Sequence, residues 1–446
     1  MRKHIKKATA LVLTAAMAMG AVTGCGGSGA SDTKGQAVEG NAGTGEGGAQ
    51  KISFLNSKGE IQAALEDMAE AYKSKTGVQV DILACGAGEV PYTKITSMYN
   101  SGTAPTMAML DTTDIVALAE EYALDLSDQA WIAECEDSVT RVDGKVYSFP
   151  FCIEGRGIIY NRAAIEETLG HEFDADAVNS LDSFKAVLEE LRTAGMENPV
   201  VVSKEDWSLG AHQLGFIYDT YDGTTAGADE IIGKLTDGTQ KAIGYDRFNQ
   251  FMDTMDLLLQ YNINGKDPLG ALYEQDPIYL ADGDAAFWLN GCWAWPNLSD
   301  SGADAEDGYG FIPWILGNDT SDFANQGIQA AASKQVMIDK KQASPEEQEA
   351  AKAFINWIVN DEEGQRMLVE EAALIPACKN NAVEPVDPLG KDIKEKMAQG
   401  RTFSSSFIAP GDHWSVMGAE MQKYIAGQQT REDVANALDA YWQKQK

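Results

Sequence analysis

The sequence predicts an α/β fold in two lobes, and three observations carry that prediction. The patterned part of the chain opens with β-α-β, a second series of strands and helices follows it, and 446 residues are enough for two or three cores. The opening unit takes residues 51–55 (KISFL) as a short strand. Ile61, Leu65, Met68 and Tyr72 then recur at helical spacing, Gly77 stops the helix, and 78–83 (VQVDIL) alternates as a second strand. Two strands joined by one helix pair in parallel and begin a layered α/β domain. Pro91 opens another helix, residues 106–110 (TMAML) form a strand that ends on Asp111, and 146–151 and 157–161 are two further strands.

The second series begins at Ser180, after which Leu181, Phe184, Leu188 and Leu191 mark a helix. Residues 199–203 (PVVVS) are a strand, 248–261 a strongly apolar helix, and 285–289 and 310–315 two more strands. Ser344-Pro345-Glu346-Glu347 is a capping box with proline at the first helical position; its helix turns Ala351, Phe354, Ile355 and Ile358 inward. Thr430, with Asp433 three residues on, starts the last helix. Helices lie outside, and clefts in such sheets form at the carboxyl ends of strands.

Composition narrows the class. The chain is 44% hydrophobic and 23% charged, which suits a soluble domain and is too polar for a membrane bundle. Its 35 basic and 68 acidic residues give a net charge of −33, which repels nucleic acid and an anionic bilayer alike. Attachment to a membrane therefore needs a separate anchor.

That anchor is written at the start. Residues 1–7 (MRKHIKK) are basic, and 8–22 are apolar but too short for a stable span, so 1–24 reads as a secretory signal. Val22-Thr23-Gly24-Cys25 resembles a bacterial lipoprotein signal, which implies cleavage before Cys25 and diacylation of its thiol, palmitate being the expected chain. Residues 26–50 hold nine glycines, no aromatic residue and one valine. That composition reads as a tether with a reach of roughly 25–30 Å. The G-x-G-x-x-G from Gly24 to Gly29 overlaps its start, with no strand before or helix after, and is a coincidence of composition.

Cys85, Cys135, Cys152, Cys292 and Cys378 are scattered without C-x-x-C; five cannot all pair, no pairing follows from spacing, and buried small hydrophobes are the expected state. His4, His171, His212 and His413 are far apart, so neither a metal site nor a histidine-based catalytic centre is expected, and no cofactor.

At Gly283-Asp284-Ala285-Ala286-Phe287-Trp288-Leu289-Asn290-Gly291-Cys292-Trp293-Ala294-Trp295 the chain resembles the extracellular solute-binding proteins of bacterial ABC importers, above all the sugar-binding family 1 that includes maltose-binding protein. Three further stretches resemble that family in the same order. They are Phe54-Leu55-Asn56-Ser57-Lys58-Gly59; Phe149-Pro150-Phe151-Cys152-Ile153-Glu154 running into Ile159-Tyr160-Asn161; and 350–364 (AAKAFINWIVNDEEG) with Ala373-Leu374-Ile375-Pro376. The resemblance implies a two-lobed periplasmic-binding-protein-like fold, with a hinge of crossing strands and a central cleft that closes on ligand. The first crossing maps near 149–154 and the second near 323–330. Lobe 1 is then 51–152 plus 324–376, and lobe 2 is 153–323 plus 377–446. It also implies delivery of carbohydrate to the permease subunits of an ABC importer; the signal and tether fit a Gram-positive version held on the outer face of the membrane, and a monomer is expected.

A sugar offers hydroxyls on its rim and apolar C–H faces, so it needs flat aromatic rings and carboxylates or amides. By the resemblance, Trp293 and Trp414 match stacking positions and Glu154 matches a ligand-contacting acid at the first crossing. Ser57 and Lys58 fall in the first strand-helix turn, as the family's polar contacts do, although Lys58 equally suits a solvated loop. Asp111 and Asp114 end a strand facing the cleft, with helix capping the other reading. Maltose-binding protein carries an aromatic residue where Asp111 stands, which argues against maltose itself. Asn325 and Gln326 at the second crossing suit either hydroxyls or backbone. Trp207, Trp288 and Trp314 match no motif, and core packing is the first reading of each, with Trp207 kept as a ligand candidate. Trp295 is expected inside.

Two alternatives stay open. A surface-anchored glycoside hydrolase needs only a carboxylate pair, which 68 acids supply without any motif to fix it. The same fold also serves for a peptide, polyamine or other non-sugar solute.

Overall fold

The computed structural model describes residues 51–86 and 89–446. The expected signal 1–24, the expected lipidation site Cys25 and the expected tether 26–50 lie outside the described residues. Among those described, no helix is long and apolar enough to cross a membrane.

Eleven strands follow in chain order: β1 (Lys51–Asn56), β2 (Gln79–Ala84), β3 (Met107–Asp111), β4 (Arg141–Val142), β5 (Lys145–Val146), β6 (Phe149–Asn161), β7 (Val200–Val201), β8 (Phe287–Gly291), β9 (Tyr309–Ile312), β10 (Ile328–Ile338) and β11 (Thr402–Phe403). Nine form one sheet in the order β2-β1-β3-β10-β6-β8-β7, with β9 beside β6 and β11 beside β10; β4 and β5 form a separate hairpin. The opening unit is the parallel pair the sequence predicts, in register from Lys51↔Gln79 to Asn56↔Ala84. Its crossover helix Gln62–Thr76 buries Leu65, Met68, Ala69 and Tyr72 and stops at Gly77, whose φ of 79° is left-handed.

Two long strands carry the architecture. Where the sequence predicts separate strands at 146–151 and 157–161, β6 is continuous over 13 buried residues. Gly155 and Gly157 in its middle are there for close approach. A Cβ on Gly155 would stand 2.4 Å from Ile393 Cδ1, and one on Gly157 2.7 Å from the Ile312 carbonyl oxygen. The first residues of β6 pair antiparallel with Lys334–Val336 of β10, whose far edge pairs with β3, while Arg156–Asn161 pair with β8 and β9. The second crossing is thus the 11-residue β10, longer and later than the 323–330 expected; Phe323–Gln326 is a short helix leading into it. The β10–β6 register slips between Ala331 and Lys334, a bulge of the kind that re-aims side chains beside sites.

Two lobes with separate cores result. Ile52, Phe54, Leu65, Met107, Trp131, Phe149, Phe151, Val336 and Phe354 pack together in one. Ile158, Phe184, Phe248, Phe251, Phe287, Trp314, Met417 and Trp442 pack in the other. Helix Pro345–Asn360 opens with the capping box at Ser344 and Glu347, and helix Arg431–Gln443 with one at Thr430 and Asp433. The cysteine expectation needs correcting: Cys135 and Cys378 are joined by a disulfide, across a separation of 243 residues that leaves no signal in the sequence. Cys152 and Cys292 are free and buried as expected, and Cys85 is free and half-buried. The bridge, with Lys379 N donating to the Glu134 carbonyl at 2.9 Å, keeps the chain on the first core a few residues past Pro376.

Candidate functional site

The first strand-helix turn is shaped by Asn56. Its Oδ1 accepts from Lys58 N at 2.8 Å and its Nδ2 donates to the Lys58 carbonyl at 2.7 Å, which turns the lysine inward. Lys58 Nζ donates to Glu154 Oε1 and pairs with Glu60 Oε1 at 2.8 Å. Glu154 comes from the middle of β6, and its other oxygen accepts from Ser333 Oγ on the β10 bulge. Beside it, Lys334 Nζ meets Asp111 Oδ1 at 2.8 Å. Asp111 therefore spends its carboxylate on Lys334 and makes no side-chain cap on helix Thr112–Tyr122. Asp114, one turn into that helix, is buried; no hydrogen bond or ion pair reaches it among the described residues.

Burial alone would raise the Glu154 carboxyl, but Lys58, then Lys334, hold it at about 2. Burial would likewise lower Lys58, and Glu154 and Glu60 keep it well above the ordinary lysine range. Asp114 goes the other way: burial, then neighbouring Asp111, push it up to about 7 against the pull of Lys334.

Facing this charged shelf, the second lobe supplies rings. Trp207 precedes a π-helical turn, Ser208–Gln213, that carries His212. The Trp207 ring lies 5.2 Å from Tyr273 and 5.3 Å from His212, and His212 lies 4.6 Å from Trp293. Asn290 donates to the Tyr273 hydroxyl at 3.1 Å and accepts from Gly291 N at 2.9 Å. Helix His413–Ile425 is drawn against the π-helical turn by two glycines. A Cβ on Gly210 would stand 2.1 Å from the Trp414 carbonyl oxygen, and one on Gly418 2.4 Å from that of Asp206. Trp414, half-buried in the first turn, thus sits beside the same wall.

The two faces sense each other. Burial, then the positive charge of Arg156, lower His212 to about 3, and Glu154, Lys334 and Lys58 act on it from the other side. The loop before Trp414 reaches back as well: a Cβ on Gly411 would stand 3.7 Å from the Tyr92 ring and 3.9 Å from Asp114 Oδ1.

Of the residues singled out in the sequence, Lys58, Glu154, Asp111 and Asp114 gather on the shelf, and Trp207 and Trp293 share the wall. Ser57 adjoins Lys58, its hydroxyl buried without a partner among the described residues. Asn325 and Gln326 are not brought to this cluster. Asn325 is fully buried, its amide bound to both backbone groups of Leu316 and to the Asp319 carbonyl. Gln326 is exposed, donates to the Thr320 carbonyl at 3.1 Å, and lines a separate cavity of about 260 Å³ with Asp176 and Arg401. Trp288, bonded to Ser203, and Trp314, stacked on Phe216 and Phe251, are core. Ser333, Lys334, Glu60, Tyr273, Asn290 and His212 escaped the sequence reading. Only Lys334 left a signal, the one charge in an otherwise uncharged strand. Among the described residues no group of three or more side chains forms a metal site.

Two α/β lobes on a pair of shared long strands, with a polar shelf opposite an aromatic wall, define the class of two-lobed solute-binding proteins. Solved structures share the fold over nearly their whole length. RafE in complex with raffinose superposes with a TM-score of 0.70 at 19% identity, covering 88% of this chain and 99% of that one. A sugar transporter of Bacillus licheniformis in complex with stachyose gives 0.65 at 18%, covering 89% and 100%. The model of the bacterial extracellular solute-binding protein family matches residues 67–398, and the chain belongs to that family. An extracytoplasmic location follows from membership. The multiple sugar-binding protein of Streptococcus mutans is 23% identical over 275 residues, 58% of this chain and 60% of that protein, so the match spans less than two thirds of that relative.

Proposed function

We propose that this protein captures a mono- or oligosaccharide between its lobes, without chemical change, and delivers it to the permease subunits of an ABC importer. The observation that carries the reading is the pairing of surfaces. The rings of Trp207, His212 and Trp293 suit the C–H faces of a sugar, and Lys58, Glu154 and Asp114 suit its hydroxyls. Relatives and neighbours whose names or ligands are sugars support the same class. Lobe 1 is taken as 51–152 plus 324–376, extended a few residues by the contacts of Cys378 and Lys379, and lobe 2 as the remainder. Trp414 and Ser57 complete the proposed contacts, while Asn325 is assigned to loop structure.

A hydrolase reading is weaker at this site. Both oxygens of Glu154 are engaged and the group is held ionised, which unfits it as a general acid. We further propose a monomer, lipidated at Cys25 and held at the outer face of the membrane by the 26–50 tether, which accords with the extracytoplasmic family.

The test is a thermal-shift screen of the full chain against oligosaccharides, polyamines and peptides, with recovery of each hit by mass spectrometry. A ligand at 100 times its Kd adds about 2.7 kcal/mol of stability. A sugar hit recovered intact supports the proposal. A cleaved sugar would replace it with an enzyme, and hits confined to peptides or polyamines would replace the ligand class.

A further inference from the structure

Beneath the aromatic wall lies a small cavity, to which Arg156, Ser208, His212, Gln213, Asn290 and Trp314 bring polar side chains. It offers about 10 Å³ for the centre of a water molecule, which is room for one. Four polar atoms of its lining residues are closed off and have no partner among the described residues: Arg156 Nε, Trp314 Nε1, Gln213 Oε1 and His212 Nδ1. The other two side chains are engaged. Ser208 Oγ accepts from Gln213 Nε2 at 3.0 Å, and Asn290 bonds the Tyr273 hydroxyl and Gly291 N. The four stranded groups are also fixed from behind. Arg156 donates from its terminal nitrogens to Asp219 Oδ2 and, at 3.4 Å, to the Ala211 carbonyl, Trp314 is stacked on Phe216 and Phe251, and Gln213 is held by Ser208. Buried donors and acceptors gathered in this way are costly unless one partner joins them.

Their types select that partner. Arg156 Nε–H and Trp314 Nε1–H can only donate, and Gln213 Oε1 can only accept. A water has two lone pairs and two hydrogens. The two donors fill the lone pairs, one hydrogen goes to Gln213 Oε1, and the other has only His212 Nδ1 left, which must then be bare. Turning the Gln213 amide over would aim a third donor at two lone pairs. A cation would meet two donors, and a chloride would face the Gln213 oxygen.

We propose that this cavity is a site for one buried water, and that the water locks His212 with its ring proton on Nε2, so that the wall carries a hydrogen-bond donor between the Trp207 and Trp293 indoles. The ring is neutral, since burial, then Arg156, lower His212 to about 3. Arg156, Gln213 and Trp314 act through the water and His212 and are positioning residues. The site belongs to the free protein and holds whatever solute the cleft takes.

The test reads the free protein in two ways. In a crystal structure at about 1.2 Å resolution, a single peak should lie about 2.7–3.2 Å from all four atoms. Long-range proton–nitrogen correlation spectra of the full chain, labelled on histidine, should show His212 Nδ1 as bare and Nε2 as protonated, the signals being assigned by their loss in H212Q. In W314F one lone pair of the water is freed and Nδ1–H gains an acceptor, so the two tautomers should come within about tenfold of each other, the scale of one hydrogen bond. The two wild-type readouts need no variant to fold. A cavity without a peak, a peak that bromide replaces with an anomalous signal, or a protonated Nδ1 in wild type overturns the proposal. A single unchanged tautomer in folded W314F overturns the lock.

Discussion

The Trp293 indole lies folded back over Gly291, so closely that a Cβ at Gly291 would stand 2.1 Å from the ring. The Asn290-Gly291 pair at the end of β8 is therefore a seat for that indole. Its φ of −127° is open to any residue, so glycine is needed for the close approach and not for the turn. G291A should displace the indole and weaken sugar binding by about tenfold, while W293A removes the stacking face and should weaken it at least as much. Titration calorimetry of both variants checks this; unchanged affinity in W293A would remove Trp293 from the ligand set.

Lys58 and Glu154 join the first strand-helix turn to the crossing strand in a setting nearly closed to water. Removing one partner of such a pair strands the other charge, so K58A should cost about 3–5 kcal/mol in urea unfolding. The linkage has a definite sign. Glu154 is held below its unfolded value, so its contribution is present above about pH 4.3 and lost as pH falls toward about 2. Unfolding midpoints should fall steeply through that window in wild type and less in E154Q.

Asp114 carries the opposite sign. Its carboxyl titrates near 7 when folded, so between about pH 4 and pH 7 the folded state holds a proton the unfolded chain has lost, and stability declines as pH rises. D114N removes that penalty and should exceed wild type in stability at about pH 8 by more than at about pH 4.5. Parallel pH curves for the two proteins would contradict the assignment.

The Cys135–Cys378 disulfide pins the segment after Pro376 to the first core. C378S, or reduction of the wild-type protein, should lower stability by about 2–5 kcal/mol in unfolding experiments. Sugar affinity should stay within a few fold, since neither cysteine adjoins the shelf or the wall.

Local signals were legible in the sequence because they are local. Gly77, the boxes at Ser344 and Thr430, and the alternation of β1 and β2 each express a rule spanning a few residues, and the structure follows them. Long-range events were not. Nothing near Cys135 points to Cys378, and nothing near Gly155 and Gly157 points to the distant Ile393 and Ile312 that pack against them in the continuous β6. The site divides in the same way. Lys58, Glu154 and Trp293 stood in motifs, whereas His212 joined the wall only because a π-helical turn set it between Trp207 and Trp293. Ser333 and Lys334 were turned to Glu154 and Asp111 by a bulge that no residue type announces.

The most direct measurement is a crystal structure with the sugar that gives the largest thermal shift. Density for a sugar ring should lie flat on the Trp293 indole, with hydroxyls within hydrogen-bonding distance of Glu154 or Asp114 and the two lobes closed over it. Density elsewhere on the molecule, or a sugar held in the cleft without touching Trp293, would contradict capture between the aromatic wall and the charged shelf.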